Sequence, residues 1–294
     1  MNASFGIDHP LLATKDIETL RSHLLSLGFN MTEIGKHPWG TSTSLAMFDG
    51  CLLEIMGIYD DTLIDEVPAG EFRFGRHVYE HLQHREGVAL TALHSTDSEK
   101  DAAHAAGVGF EVAGHLEFGR DVTLPDGSTD RTKTTLALFP DKTYPRLSFF
   151  LCQQHRPELI YVPQWLEHPN QVSGIRAVNI VAPVQHHSVL TKKFDNLYTE
   201  YERIDGGFQY ETANGFLRVL DAEVFKETIG PIPKDNQNET LPYIAGMDFV
   251  MSNPDALLHY LEKSDASYQA TENGFTLNEP ELTANTVIRF QKND

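Results

Sequence analysis

Three side chains near the start of the chain could bind a divalent cation. His9 lies in the apolar segment GIDHPLLA, His37 begins the motif HPWGT, and Glu54 interrupts the apolar run CLLEIMG. Each lies in or beside a predicted β-strand, and imidazole and carboxylate donors on adjacent strands suit a mononuclear divalent site. The same residues could instead form a polar patch at a sheet edge. Because a buried carboxylate is costly without a partner, we expect Glu54 to face a cation or a histidine.

The motif HPWGT at residues 37–41 predicts one wall of a ligand pocket. Proline and glycine give such a loop a defined geometry, and a histidine next to Trp39 suits the lining of a pocket. A purely structural loop with an aromatic anchor is the alternative. Beside a metal site, His37 is also a candidate to move a proton.

The elements that would carry these side chains follow the order β-α-β-β-β. The helix is indicated by Ile17, Leu20, Leu24 and Leu27 on one face and by Gly28 at its end. An Asp-Gly dipeptide between the last two strands indicates a hairpin turn. The predicted segments are strand 6–13, helix 14–28, and strands 29–34, 42–48 and 51–57.

The same order of elements recurs along the chain, which predicts an α+β fold built from four modules. Two modules per domain fit a length of 294 residues. Prolines between the two halves indicate a linker. The predicted modules are 6–57, 87–155, 174–225 and 241–292, in domains 1–158 and 174–294 joined by a linker at 159–173.

The insertion at 58–86 contains a predicted helix, RFGRHVYEHLQHREG, with three histidines. His77, His81 and His84 have the i, i+4, i+7 spacing of one helix face. This spacing could bind a metal, but no HExxH motif accompanies it. We therefore expect a solvated helix face.

These features resemble the vicinal oxygen chelate superfamily and, more narrowly, its glyoxalase-like domain proteins. The resemblance is carried by the module order, by Asp8-His9 on the first strand, by HPWGT, by Glu54 on the fourth strand and by the segment FFLCQQH at 149–155. It implies four βαβββ modules paired into two open, cup-shaped mixed sheets. It also implies a metal held by the first and fourth strands of each module.

The resemblance implies particular ligands in the first cup. His9 matches the first-strand ligand of the first module, and Glu54 matches its fourth-strand ligand. In the second module Thr91 stands near the first-strand position and is a poor ligand. His94, on the same strand, is a good donor but lies about three residues out of register.

The last strand of the second module ends in three consecutive polar side chains. Alternation sends neighbouring side chains to opposite faces, so we expect at least one of them to face the cup. Gln153, Gln154 and His155 remain alternatives on this evidence. The implied roles are metal binding by His9, Glu54 and His155, proton transfer by His37 and His155, and substrate contacts from Trp39, Gln153 and Gln154.

The second half departs from the ligand pattern. Ala177 stands opposite His9, and Arg218 stands opposite Glu54. Extradiol dioxygenases of similar length hold their iron in the C-terminal half, so these residues argue against that class. We expect the chemistry in the first cup, and a hydrophobic pocket in the second half is the alternative.

The composition narrows the class of partner. A net charge of −19 would repel nucleic acid and anionic membranes, which favours a small-molecule ligand. Neither a signal peptide nor a membrane-spanning run is recognisable, so we expect a cytoplasmic protein. Cys51 and Cys152 are expected to be free, buried thiols. Sheet edges in this superfamily often pair modules within or between chains, so a homodimer is one expectation for the assembly.

Two classes of function stay open. The first is an enzyme of lyase, isomerase or dioxygenase type that acts on a small oxygenated molecule with a divalent metal ion. Iron, manganese, nickel and zinc are all compatible with the predicted ligands. The second is a metal-free protein that binds or sequesters a small molecule in an aromatic-lined cup, which the poor ligand Thr91 favours. The metal content of the purified protein separates the two.

Overall fold

The computed structural model describes residues 5–292, which contain eighteen β-strands and seven α-helices. The strands are β1 Ile7–Ala13, β2 Gly35–Lys36, β3 Thr41–Phe48, β4 Cys51–Ile58, β5 Gly87–His94, β6 Gly114–Phe118, β7 Asp121–Thr123, β8 Thr129–Arg131, β9 Thr134–Phe139, β10 Phe149–Gln154, β11 Val172–Val181, β12 Tyr201–Ile204, β13 Gly207–Glu211, β14 Phe216–Leu220, β15 Tyr243–Met251, β16 Tyr268–Thr271, β17 Gly274–Leu277 and β18 Val287–Lys292. The helices are α1 Ile17–Ser26, α2 Phe74–His84, α3 Ser98–Gly107, α4 Pro163–Leu166, α5 Val184–Phe194, α6 Ala222–Thr228 and α7 Pro254–Lys263.

Two eight-stranded sheets each combine two modules along their first strands. Their strand orders are β2-β3-β4-β1-β5-β10-β9-β6 and β12-β13-β14-β11-β15-β18-β17-β16. In the first sheet β1 runs antiparallel to β5, while β4 and β10 flank this pair in parallel. The second sheet repeats this with β11, β15, β14 and β18. Both sheets curl into open cups, which confirms the predicted α+β fold of four modules.

Alternation along β4 separates the two faces of the first sheet. Leu52 and Glu54 line the cup, while Leu53 lies in the core on the convex face. Helix α1 covers that convex face with Leu20 and Leu24, as their spacing predicted. An apolar run interrupted by one carboxylate therefore places that carboxylate inside the cup.

The predicted strand at 29–34 is wrong. These residues are irregular, and only Gly35–Lys36 pairs with β3. Phe29 packs in the core instead. The backbone N–H of Thr32 donates to Leu45 O, and Thr32 Oγ1 accepts from Leu45 N. The segment is thus fixed to β3 by single hydrogen bonds and forms no continuous ladder.

Helix α2 does not present a solvated histidine face, contrary to the prediction. His77 Nε2 lies 3.1 Å from Ala89 O on β5. His81 Nε2 is buried and has no hydrogen-bond partner within residues 5–292. His84 alone of the three is exposed. The helix packs on the cup side of the first sheet through residues such as Leu82, which also encloses its histidines.

The sequence predicted no membrane-spanning run and two free, buried cysteines. None of the helices within residues 5–292 is long and apolar enough to cross a membrane. Cys51 and Cys152 are both free and buried, as predicted. Cys51 accepts a hydrogen bond from the backbone N–H of Ile175, so it lies at the contact between the two halves.

The two halves share one core between their convex faces. Phe29 and Phe48 of the first half lie 5.5 and 5.9 Å from Phe249 of the second, measured between ring centroids. Phe290 lies 6.1 Å from Phe29. Contacts of this kind contribute apolar burial and ring packing together. They hold the two sheets back to back, with both cups facing outward.

The segment predicted as a linker, 159–173, is packed against the first half. His168 Nδ1 accepts the backbone N–H of Asn30, and His168 Nε2 donates to Met47 O. The segment contains α4 and the beginning of β11. The boundaries of the two predicted domains stay a prediction.

Candidate metal centre

His9 faces the cup because β1 contains a β-bulge. Ile7 pairs with Leu93 and His9 with Ala92 on β5, so Asp8 is an extra residue in the ladder. Ile7 lies in the convex core, whereas His9 lines the cavity of the cup. In a regular strand, alternate residues share a face, so without the bulge Ile7 and His9 would point to the same side of the sheet.

His9 lies between two carboxylates. Its Nδ1 is 2.6 Å from Asp8 Oδ1, and its Nε2 is 3.2 Å from Glu54 Oε2. Thr43 Oγ1 donates a 2.6 Å hydrogen bond to the other oxygen of Glu54. All four side chains are buried. Asp8 thus fixes the ring and directs Nε2 at Glu54, which is how a carboxylate orients a metal-binding histidine.

The electrostatics of the cluster favour the ionised forms of both partners. Burial opposes the charge on His9, but Asp8 and Glu54 raise its pKa to about 10. Burial also opposes the charge on Glu54, but His9 above all lowers its pKa to about 2. One imidazolium neutralises only one of the two adjacent carboxylates. A divalent cation in place of the Nε2 proton would supply the second positive charge.

The spacing of the donor atoms fits a divalent ion. Two ligands at about 2.0–2.2 Å from a metal and at right angles to each other lie about 3 Å apart. The distance between His9 Nε2 and Glu54 Oε2 is 3.2 Å. Asp8, His9 and Cys152 each also offer a ligand atom within 4.8 Å of the others. Glu54 does not belong to that group, so Cys152 clusters with Asp8 and not with Glu54. Because Asp8 already binds Nδ1, we assign it to orienting His9 and keep His9 Nε2 and Glu54 as the candidate ligands.

A cavity of about 50 Å³ adjoins these donors, several times the roughly 10–15 Å³ that one water molecule needs. Trp39, Phe118 and Phe150 form part of its wall. His37 stacks on Trp39 with 4.7 Å between ring centroids, and its Nδ1 lies 2.9 Å from Thr41 Oγ1. Burial lowers the pKa of His37 to about 4, so its ring is neutral near pH 7. The HPWGT motif therefore lies in the cavity wall, and the chemical roles of its residues stay predictions.

Arg120 brings a positive charge to the same cavity. It lies between β6 and β7, where its backbone N–H donates to Thr132 Oγ1. Within residues 5–292 its guanidinium has no hydrogen-bond or ion-pair partner. Burial lowers the pKa of Arg120, and the carboxylate of Glu54 opposes that shift.

Gln154 is the glutamine of β10 that faces the cavity. Its Oε1 accepts from Thr134 Oγ1 at 2.8 Å, and its Nε2 lies 3.3 Å from Cys152 Sγ. Gln153 points to the opposite face, where its Oε1 accepts the backbone N–H of Ser98 at the start of α3. The predicted substrate contact from Gln153 is therefore wrong in this geometry, because its amide caps a helix.

His155 also lies outside the cavity, contrary to its predicted roles as ligand and proton carrier. Its side chain is exposed, and Nε2 lies 2.8 Å from Thr135 Oγ1. Alternation along β10 sends Cys152 and Gln154 into the cup, so His155 continues on the outer side with Gln153. Cys152 and Gln154 are the side chains of this strand end that line the cavity.

Strand β5 supplies no ligand to the cavity. Ala92 pairs with His9, and Thr91 points to the other face of the sheet. Its hydroxyl is buried and has no hydrogen-bond partner within residues 5–292. His94 instead reaches the orienting carboxylate, with Nε2 3.3 Å from Asp8 Oδ2. This histidine therefore supports the site indirectly.

At the positions where the first cup has its candidate metal ligands, the second cup has a network of ion pairs. Arg218, opposite Glu54 in the module alignment, donates to Asp248 Oδ2 at 2.9 Å and to Asn179 Oδ1 at 2.8 Å. Arg289 Nε donates to Asp248 Oδ1 at 3.0 Å. Burial opposes the charge on Asp248, but the two arginines lower its pKa. Both of its oxygens are occupied by guanidinium groups, so this carboxylate offers no place to a cation.

Three residues of the site have no role in the sequence prediction. Alternation would place Asp8 on the face opposite His9, and nothing in the sequence marks the bulge. Cys152 is predicted only as a buried thiol, although its spacing of two from Gln154 indicates a shared face. Arg120 lies beside short hairpin strands, whose length gives no periodic signal.

Comparisons with known proteins concern the family and the fold. A family model described as a glyoxalase-like domain matches residues 7–196. A sequence comparison with curated proteins finds no match. The family match includes the whole first cup and the beginning of the second half.

Several solved structures are similar to this chain over nearly its whole length. A hypothetical protein from Staphylococcus aureus has a TM-score of 0.69 at 13% identity, covering 98% of this chain and 99% of that one. A mutant of 4-hydroxymandelate synthase from Streptomyces coelicolor has a TM-score of 0.57 at 11% identity, with 99% and 93% covered. A Mn(II)-bound glyoxalase from Novosphingobium aromaticivorans has a TM-score of 0.56 at 11% identity, with 99% and 83% covered. At such identities the likeness shows the fold alone. The family match over residues 7–196 spans more than half of the chain and establishes that this protein belongs to the glyoxalase-like domain family.

Proposed function

We propose that this protein is a metal-dependent enzyme of lyase, isomerase or dioxygenase type that acts on a small oxygenated molecule in the first cup. The buried cluster of Asp8, His9 and Glu54 beside the cavity carries the proposal. The Mn(II)-bound glyoxalase of similar fold supports a divalent ion. Iron, manganese, nickel and zinc are all compatible with imidazole and carboxylate donors.

His9 Nε2 and Glu54 are the residues that would hold the ion. A divalent ion here would supply Lewis-acid stabilisation of negative charge on a substrate oxygen. Two protein donors are fewer than the four to six ligands that such ions take, which would leave positions for oxygens of the substrate. Cys152 lines the same cavity, and burial keeps the pKa of its thiol well above its usual value.

His37 is the residue in the cavity wall that suits proton transfer. Its ring is neutral near pH 7. In the tautomer whose Nδ1–H donates to Thr41 Oγ1, Nε2 carries no proton and can act as a base. Stacking on Trp39 and an edge contact with Phe118 hold the ring in place.

Metal analysis of the purified full-length protein tests the proposal. After loading with each of the four metals and dialysis, we expect wild-type protein to retain about one ion per chain by mass spectrometry. His9→Ala and Glu54→Gln should lose the ion, because each removes a ligand beside the cavity. His155→Ala is the matched control and should retain it, because His155 lies outside the cavity. Retention of metal in Glu54→Gln, or its loss in His155→Ala, contradicts the assignment.

A metal-free binding protein is the second candidate function, and one observation favours it. A protonated His9 bridges Asp8 and Glu54 without any ion, so the cluster is electrostatically satisfied in part by itself. The aromatic wall would then bind a small molecule without chemistry. Wild-type protein that retains none of the four metals under repletion would favour this candidate over the enzyme.

A further inference from the structure

Arg120 is a charged group without a partner inside the first cup. Its guanidinium lines the cavity that His9 and Glu54 also line. No hydrogen bond or ion pair satisfies it within the described part of the chain, residues 5–292. Arg131, on the adjacent hairpin, instead pairs with Asp121 at 2.7 Å. Because enclosing an unpaired charge is costly, the arrangement indicates an anion that is brought by the ligand.

The backbone around Arg120 holds it at the cavity. Its N–H donates to Thr132 Oγ1 at 2.9 Å, and its carbonyl accepts the N–H of Thr132 at 2.8 Å. An added Cβ on Gly119 would lie 2.2 Å from Thr132 O, so the close approach of the two segments requires glycine there. An added Cβ on Gly35 would lie 3.5 Å from Arg120 Nη1. The backbone of Arg120 is therefore held in place, and its guanidinium lies beside Gly35 of β2.

Arg120 is the unpaired donor that a ligand in this cavity can reach. Trp39 also lines the cavity, and its Nε1 has no hydrogen-bond partner within residues 5–292, but that atom has almost no accessible surface. The indole ring therefore contributes to the aromatic wall. Oxygen atoms that carry negative charge are the acceptors that suit a guanidinium.

The carboxylate of Glu54 does not take the place of this anion in the proposed enzyme. Glu54 Oε1 accepts from Thr43, and Oε2 faces His9 at 3.2 Å. A divalent ion bound there would neutralise the charge of Glu54. Arg120 would then be left without any counter-charge in the cavity.

We propose, building on the function proposed above, that the substrate is a small carboxylate whose anionic group binds Arg120, with the rest of the molecule extending toward His9 and Glu54. A planar carboxylate matches the guanidinium fork through two parallel N–H···O bonds. A cavity of about 50 Å³ favours a molecule of few heavy atoms. The aromatic wall covers its apolar part.

Calorimetric titration of the metal-loaded full-length protein tests this assignment. The probes are acetate, lactate and malonate, each beside its neutral counterpart, ethanol, propane-1,2-diol or propane-1,3-diol. Inorganic phosphate tests the other common oxyanion. We expect at least one carboxylate to bind wild-type protein and its neutral counterpart to bind about 10- to 100-fold more weakly, because charge-assisted hydrogen bonds are lost.

Substitutions at Arg120 and Arg131 test whether the preference for carboxylates depends on Arg120. Arg120→Gln should weaken carboxylate binding about 10- to 100-fold and abolish the preference over the neutral counterpart. Arg120→Lys should be intermediate, because it keeps the charge but loses the fork. Arg131→Gln makes the same change on the exposed hairpin and should bind as the wild type does. Unchanged affinity in both Arg120 variants, tighter binding of phosphate than of every carboxylate, or no carboxylate binding to the wild type would overturn the proposal.

Metal content in the same samples separates this inference from the proposed function. Metal retained in Arg120→Gln together with lost carboxylate affinity supports both. A wild-type protein without metal that still prefers carboxylates through Arg120 contradicts the enzyme and leaves the anion site standing. If the metal is retained and carboxylate affinity does not change when Arg120 is substituted, the anion site alone is overturned.

Discussion

His37 is kept neutral by the rings that enclose it. It stacks on Trp39, and Phe118 contacts it edge-on with 5.7 Å between centroids. Only 4% of its surface is exposed. Burial of this kind disfavours the imidazolium form, which is why its pKa falls to about 4. The same burial gives the cavity a neutral base beside the candidate metal ligands.

The pH dependence of stability should report this burial. Because the pKa of His37 is about 4 when folded and about 6.5 when unfolded, protons bind the unfolded chain first. The contribution of neutral His37 to the free energy of unfolding is therefore fully present above about pH 6.5. It is lost as the pH falls through about 4, and the whole loss is up to about 3 kcal/mol. We expect His37→Gln to lose less stability than the wild type between pH 7 and pH 4.5, measured as urea midpoints.

The exposed His155 provides the control for this experiment. His155→Gln should keep the pH dependence of the wild-type protein, because that side chain is not enclosed. Identical pH profiles for wild type and His37→Gln would contradict the assignment of His37 as a buried, neutral ring.

Residue type and neighbours were sufficient to find part of the site. Glu54 interrupts an apolar run, and period-2 alternation places it in the cup with a partner, as expected. His155 has equally suitable chemistry but lies on the outer face. No chemistry could be assigned to Arg120 from the sequence, because its importance comes from the absence of a partner for its guanidinium within residues 5–292. Such a property exists only in three dimensions.

At the scale of single elements, the bulge in β1 is what builds the candidate metal centre. It turns His9 into the cup and leaves Asp8 beside the ring. His94 at the end of β5 contacts the second oxygen of Asp8. One extra residue in a strand thus supplies both a candidate ligand and the carboxylate that orients it.

Removal of the negative charge of Asp8 should weaken metal binding without removing a candidate ligand. We expect Asp8→Asn to lower metal affinity about 10- to 100-fold, because an amide orients and polarises His9 less well than a carboxylate. Competition with a chelator of known affinity measures this. Asp61→Asn, an exposed aspartate, is the matched control and should bind as the wild type does. Equal affinity in Asp8→Asn and wild type would show that Asp8 does not support the site.

The predictability of elements depended on their length and regularity. Helix α1 followed from apolar residues at helical spacing, and the β3–β4 hairpin followed from Asp49-Gly50, where Gly50 has φ +75°. The strand predicted at 29–34 failed because single hydrogen bonds replace a ladder there. The bulge at Asp8 could not be predicted, because a regular strand was the only pattern available. Irregular elements position the site, and they leave the weakest signal.

At the scale of the whole molecule, one topology carries two different cups. The strand pairings repeat between the halves, yet the first cup has His9 and Glu54 at its candidate ligand positions, and the second has Ala177 and Arg218 there. Asp248 lies between Arg218 and Arg289 and has no surface exposure. Asp248 of the second cup is therefore neutralised by its own arginines, whereas the first cup is the one for which we propose a ligand.

Breaking this network should destabilise the protein and spare the first cup. We expect Asp248→Ala to lower the free energy of unfolding by about 3–5 kcal/mol, because two partly buried arginines lose their counter-ion. Urea denaturation measures the loss, with Asp61→Ala as an exposed control that should change by less than about 0.5 kcal/mol. Metal content per folded chain should match the wild type. A loss no larger than that of the control would contradict the structural role of the network.

The position of a metal ion in crystals of the metal-loaded protein is the most direct test of the candidate centre. Anomalous diffraction at the absorption edge of the metal locates the ion without reference to any assumed ligand. We predict a peak in the first cup at about 2.0–2.3 Å from His9 Nε2 and from the Glu54 carboxylate, and none beside Asp248. A peak held by Asp8 without Glu54, a peak in the second cup, or no peak in metal-loaded crystals would contradict the assignment of His9 and Glu54 as metal ligands.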